Sequence, residues 1–228
     1  MKKNVMMRLS ALLLVAVLLT TCVISGTFAK YVTSNQKDDV AQVAKWGVTV
    51  EADFDDLFEE YYDNATGTVQ AAETYNILAP GTTDAQDDAF VISGTPEVAV
   101  NINVVAAVTL TGWTLEDDSE YCPLVITVNS VAYYIGATID EETIDDVADL
   151  EAAVEAAIQD ALGHGDHEAN VNLAANLDIS WSWAFEQGAD ADEIKAFDEK
   201  DTYLGDQAAA GNAPTFAVDV KVTVTQID

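Results

Sequence analysis

Cysteine, histidine and positive charge are all scarce in this chain, and each scarcity closes off a class of explanation. Two cysteines, Cys22 and Cys122, and two histidines occur in 228 residues. Cys22 lies within the N-terminal apolar run, so a chain that loses that run keeps one thiol and cannot close an intramolecular disulfide. Stability must then come from a packed core, for which the 199 residues after Ala29 are enough. Nine Lys and Arg face forty Asp and Glu, a formal net charge of −31. That single-sign field repels nucleic acid and anionic lipid, and it favours solubility, cationic partners or divalent metal. Also missing are any Ser/His/Asp or Cys/His arrangement and any phosphate-binding glycine pattern, so the chain reads as a non-enzyme. Half of its residues are apolar, which speaks against disorder despite the charge.

What is present begins with an export signal. Lys2, Lys3 and Arg8 make a basic start, Leu9 to Ile24 is an almost unbroken apolar run, and Gly26-Thr27-Phe28-Ala29 places small residues where a signal peptidase reads. The expected cut lies between Ala29 and Lys30. A run of sixteen residues falls short of the roughly 20 needed to span a bilayer, so a leader is preferred to an anchor. Losing Lys2, Lys3 and Arg8 leaves six basic residues against forty acidic, a net charge of −34. The expected organisation is a signal peptide at 1–29, an exposed polar arm at 30–41 and one domain at 42–228.

Alternation with period two dominates that domain. Trp46, Val48, Val50, Ala52 and Phe54 form the first such run, with one face expected to be buried. Tyr75 and Ile77 suggest a short strand, and Phe90-Val91-Ile92 a brief one closed by Ser93-Gly94. Val98 to Leu110 is the strongest, long enough for a bulge or bend along it. Leu124 to Val128 and Val131 to Ile135 flank Asn129-Ser130 as a hairpin. Leu177, Ile179, Trp181, Trp183 and Phe185 alternate next, the tryptophans as core residues, and Phe216 to Val224 make a C-terminal strand. Between Thr143 and Leu162 the period changes: Val147, Leu150, Val154, Ile158 and Leu162 describe an amphipathic helix, capped by Thr143 and ended by Gly163. Alternating strands without βα repetition predict a mainly β fold, a jelly-roll-like antiparallel β-sandwich with one inserted amphipathic helix.

Two segments offer metal-ligating side chains. His164, Asp166 and His167 lie in a loop after the helix, without the His-Glu-x-x-His spacing that would put both imidazoles and a base on one helical face. Gly188 to Asp201 reads as an acidic loop in which Asp190, Asp192, Asp198 and Asp201 supply enough carboxylate for calcium but not the spacing of an EF-hand. An ordinary polar loop is the preferred reading of the first, and a solvated acidic surface that of the second. No cofactor is expected beyond calcium at such carboxylates.

The exit sequence Gly26-Thr27-Phe28-Ala29-Lys30-Tyr31 resembles the signal peptides of the SipW-type signal peptidase of Gram-positive bacteria. Trp46-Gly47-Val48, Leu177 to Phe185 and Asp201-Thr202-Tyr203-Leu204-Gly205 resemble the TasA/camelysin family of biofilm-matrix proteins. The resemblance implies a jelly-roll subunit, secreted to the extracellular matrix or the cell surface, that assembles into fibres when its N-terminal arm completes the sheet of the next copy. Tyr31, Val32, Val40 and Val43 are then the side chains that fill the acceptor groove. The implied partners are further copies of the chain, the signal peptidase during export and a minor matrix or anchor protein, with no nucleic acid, and no membrane after cleavage. The camelysin branch also implies a metallopeptidase, for which this sequence has no His-Glu-x-x-His, and a monomeric surface binding module is the remaining alternative.

Overall fold

The computed structural model describes residues 43–54, 57–58 and 77–227. Ala29, Lys30, Tyr31, Val32, Val40 and Tyr75 lie outside these residues. The chain divides into one compact unit at Met1–Val43 and another at Ala44–Asp228. Val43, the last residue of the first, is 96% exposed.

The second unit is mainly β, with every paired strand antiparallel. One sheet has five strands in the order β1 (Val48–Ala52), β2 (Thr83–Gly94), β9 (Leu173–Trp183), β4 (Leu124–Val128), β5 (Val131–Tyr133). The other has three, β10 (Thr215–Gln226), β3 (Val100–Thr111) and β8 (Gly165–His167), and β6 (Thr138–Ile139) with β7 (Glu142–Thr143) is a small separate hairpin. Among the described residues two helices complete the unit, α1 (Val147–Ala161) and α2 (Ala191–Ala209).

The period-two runs become these sheets because one set of alternate side chains leaves water. In β3 the even residues from Val100 to Leu110 are all buried and the odd ones face outward. In β9 Leu173, Leu177, Ile179, Trp181 and Trp183 are buried, so both tryptophans are core residues, as their spacing implied. Each fully buried side chain of this size contributes about 1.5–3 kcal/mol. The β4–β5 hairpin turns at Asn129 and Ser130, both at positive φ (44° and 71°), the geometry a two-residue turn needs to match strand twist.

Several expectations are corrected. The first run is a sheet border whose face is only partly buried: Val48 and Phe54 pack against the core, but Trp46 is 43% and Val50 41% exposed, because among the described residues β1 has a strand neighbour only in β2. Gly94, at φ 129°, lets that pair close, since a Cβ there would meet the Gly47 carbonyl oxygen at 1.8 Å. No strand forms at Ile77, while β2 begins at Thr83, well before Phe90. β3 pairs with β10 in unbroken register, and the irregularity lies in β2 between Gln86 and Phe90, where Asp88 adopts φ 51° and its amide donates to Asp178 Oδ1 at 2.8 Å. β9 ends at Trp183, leaving Phe185 exposed.

The predicted helix is present as α1, with Leu150, Val154 and Ile158 buried and Gly163 at φ 66° just past its end. Its cap is Asp146, whose carboxylate accepts from Asp149 N at 2.8 Å, whereas Thr143 belongs to β7. The expected acidic loop is instead mostly the second helix, α2, which starts from Asp190. Its inward stripe is Ile194, Phe197, Asp201 and Leu204, and the carboxylate within that stripe hid the period.

Candidate functional site

The two sets of sequence-predicted ligands do not come together. His164 Nδ1 accepts from Val104 N at 2.9 Å, His167 Nε2 is 2.7 Å from the Gly163 carbonyl oxygen, and Asp166 Oδ1 accepts from Asn101 Nδ2 at 2.7 Å. These three side chains tie the end of α1 and β8 to β3. Asp190 caps α2, its Oδ1 accepting from Asp192 N and Glu193 N at 3.0 Å each, and Asp192 lies in the first turn, where negative charge suits the helix dipole. Asp198 borders a shallow cavity of about 280 Å³ with Pro80, Phe185, Glu186, Asp201 and Thr202. Among the described residues, no group of three or more His, Cys, Asp or Glu side chains is placed to hold a metal ion.

Asp201 is the charged residue that α2 carries into the core, 8% exposed. Tyr121 Oη donates to its Oδ1 at 2.7 Å and Trp183 Nε1 to its Oδ2 at 3.3 Å. Burial holds this carboxyl above the ordinary carboxylic-acid range, against the opposing effect of those two hydrogen bonds. Burial, and then the hydrogen bond to Asp201, pushes the Tyr121 hydroxyl far up, so it stays a donor. Lys200 sits with Nζ 5.0 Å from the Tyr121 ring centroid and 5.1 Å from that of Phe197, a cation–π position. The ion pair formed among the described residues is elsewhere, between exposed Lys195 and Glu199. Neighbouring Cys122 is buried, and burial raises its thiol to about 12, so it behaves as a small core residue and not as a nucleophile.

Beside Asp201 lies a cavity of about 700 Å³. Its walls come from α2 (Leu204, Ala208), from the start of β10 (Phe216, Val218) and from residues 77–80, with Phe58, Trp113 and Trp183 as aromatic surfaces. Trp113 and Trp183 meet edge-to-face at 5.5 Å, and so do Phe58 and Phe216 at 5.3 Å. Neither Tyr121 nor this cavity was foreseen. The available signal was an acidic residue at a core position of a helical stripe, legible only once Gly188 to Asp201 is seen as helix.

The cavity opens at the start of an unpaired sheet border. Among the described residues β10 has a strand neighbour on one side only, β3. Ile227 N donates to Ala99 O at 3.0 Å opposite it in register. In an antiparallel ladder this alternation makes the odd residues of β10 exchange hydrogen bonds with β3 and turns the even amides and carbonyls outward. Those even residues, Val218, Val220, Val222 and Val224, point their side chains inward and are only half-buried. The opposite border of the same sheet is closed. Beyond β8, the β3 amides of Val108 and Leu110 donate to Glu155 Oε1 (2.9 Å) and Glu151 Oε1 (2.6 Å) of α1, so side chains there take the place of a strand.

Among the described residues, fold and borders together define an antiparallel β protein with two main sheets, a twelve-residue edge on β10 without a second strand neighbour, and an apolar cavity at its head. Comparison with family models, with curated proteins and with solved structures found no match. No helix among the described residues is long and apolar enough to cross a membrane.

Proposed function

We propose that the protein is a secreted, non-enzymatic matrix subunit that joins copies of itself into extracellular fibres by donating the arm at 30–41 to the sheet of the next copy. The observation that carries this reading is the free edge of β10, whose unpaired amides run beside four half-buried valines. An exposed edge of this kind is a template for strand addition, and natural monomers normally blunt or cover theirs. The α1 side of the same sheet is covered in that way, and among the described residues nothing pairs with the β10 side. Length agrees as well: both the arm and β10 are twelve residues, about 40 Å when extended. Alternate side chains of the arm, Val32 and Val40 among them, supply apolar surface that the inward valines lack, with Tyr31 on the opposite face. A monomeric binding module is the second reading, favoured by the cavity beside Asp201.

Negative-stain microscopy tests this on residues 30–228, on the same chain without 30–41, and on Val220→Pro, with and without calcium. Proline at 220 removes an outward amide while leaving the ladder to β3 intact. Filaments are expected from the first protein alone. Filaments that form equally well from either variant would sink the proposal, and monomers from all three would shift the reading to the binding module.

A further inference from the structure

The cavity at the head of β10 has a composition that an unpaired apolar groove does not require. Four aromatic side chains, Phe58, Trp113, Trp183 and Phe216, border it in two edge-to-face pairs, and Asp201 forms part of its wall. Asp201 is the one acidic or basic side chain buried among the described residues, and it has two neutral donors, Tyr121 and Trp183, but no cation in an ion pair. Lys200 acts on Asp201 through its charge, but its ammonium lies over the Tyr121 and Phe197 rings and makes no ion pair with the carboxylate. A buried carboxylate without a paired cation is unfavourable, and aromatic faces attract cations through their quadrupole. Aromatic walls with one carboxylate are the chemistry that recognises an alkylammonium group.

We infer that this cavity receives the cationic end of the arm of a second copy, Lys30 with its α-amine and the adjoining Tyr31 and Val32. The inference rests on the reading of 1–29 as a removed leader and of 30–41 as a donated strand. Lys30 is one of only nine basic residues in the chain, and cleavage after Ala29 gives it a second positive charge on its α-nitrogen. Phe216 and Val218 belong both to the cavity wall and to the free edge, so an arm lying along β10 with its first residue in the cavity occupies one continuous surface. The twelve residues of the arm match the twelve of β10, and an arm that adds parallel to β10 in full register places the amine at the cavity, whereas an antiparallel one would carry it to the Gln226 end. Asp201 is thus a specificity-determining residue: it ties assembly to a processed chain, because an arm still joined to its leader has no α-amine to place there.

The test uses residues 44–228, the compact unit that contains the whole described core, and synthetic peptides of residues 30–43 as probes. Binding is followed by calorimetry and by the emission of Trp113 and Trp183. The native peptide with a free amine is expected to bind and shift the emission. An N-acetylated peptide carrying Lys30→Gln is expected to bind at least about tenfold more weakly, the loss of roughly one good ammonium contact. Asp201→Asn in the domain should abolish the difference between the two peptides, and since the peptide pair leaves the domain unaltered, the test does not depend on that variant folding. If both peptides bind with equal affinity, the ammonium pocket is wrong and strand donation stands. If neither binds and residues 30–228 remain monomeric, strand donation is wrong and the pocket inference falls with it. Binding of free butylammonium in place of the native peptide would overturn the assignment of the pocket to the arm.

Discussion

Asp201 occupies a position where the pattern of its helix calls for an apolar side chain, and its energetics follow from that. Its carboxyl loses hydration and regains two neutral donors, with burial the larger effect. A carboxyl whose folded pKa lies above its unfolded value, near 3.8, takes up its proton in the native state first as pH falls. The unfavourable contribution of the charged form is therefore fully present above the folded pKa. It is relieved as pH falls through the window between that raised value and 3.8. Urea unfolding of the wild type and Asp201→Asn across pH 4 to 7 should show the wild type gaining stability relative to the variant as pH falls. A difference that stays flat, or runs the other way, would mean that the Tyr121 and Trp183 hydrogen bonds outweigh burial.

At the scale of elements, the two borders of β3 and β10 are treated in opposite ways. α1 lies along β3 and offers two glutamates at i and i+4, one turn apart, to the amides of Leu110 and Val108. His164 adds a third acceptor, at Val104. Replacing Glu151 by Ala leaves a largely buried amide without its acceptor, a loss of about 1–3 kcal/mol. Glu151→Gln keeps a carbonyl oxygen in reach and should lose less. Chemical denaturation orders the three proteins, and equal loss in both variants would show that the negative charge, not the hydrogen bond, matters at this border. These contacts were invisible in the sequence, where Glu151 and Glu155 looked like the solvated face of an amphipathic helix. α2 was missed for a related reason: Asp190, Asp192 and Glu193 are an N-cap and first turn, but acidity followed by a stripe interrupted at Asp201 reads as loop when packing is unknown. β4, β5, β9 and α1 were legible because strict alternation or an i, i+4 repeat reports burial directly.

For the molecule as a whole, charge and assembly oppose each other. On the proposed reading, a chain cut after Ala29 would carry −34 and repel every copy of itself, so fibre growth by strand donation would have to work against a long-range field. Raising salt from about 0.01 M to 0.15 M shortens the screening length from roughly 30 Å to 8 Å. Light scattering of residues 30–228 should therefore grow faster at the higher salt. Calcium at matched ionic strength separates screening from bridging: growth equal to that in sodium means screening alone, and faster growth means bridging between carboxylates. Growth that slows with salt would point to attraction between charged groups as the driving force.

By itself the sequence determined the charge, the alternation of the long strands, the amphipathic helix and the two-residue turn, because each follows from neighbours in the chain and from one-sided contact with water. Only the tertiary structure decided which strands are borders, that α1 seals one border of β3 while β10 stays open, and that a carboxylate on α2 meets Tyr121 and Trp183 at an aromatic cavity. Such features bring together residues far apart in the chain, Tyr121 and Asp201 being eighty positions from each other. Local periodicity reports whether a side chain is buried, and not what it is buried against.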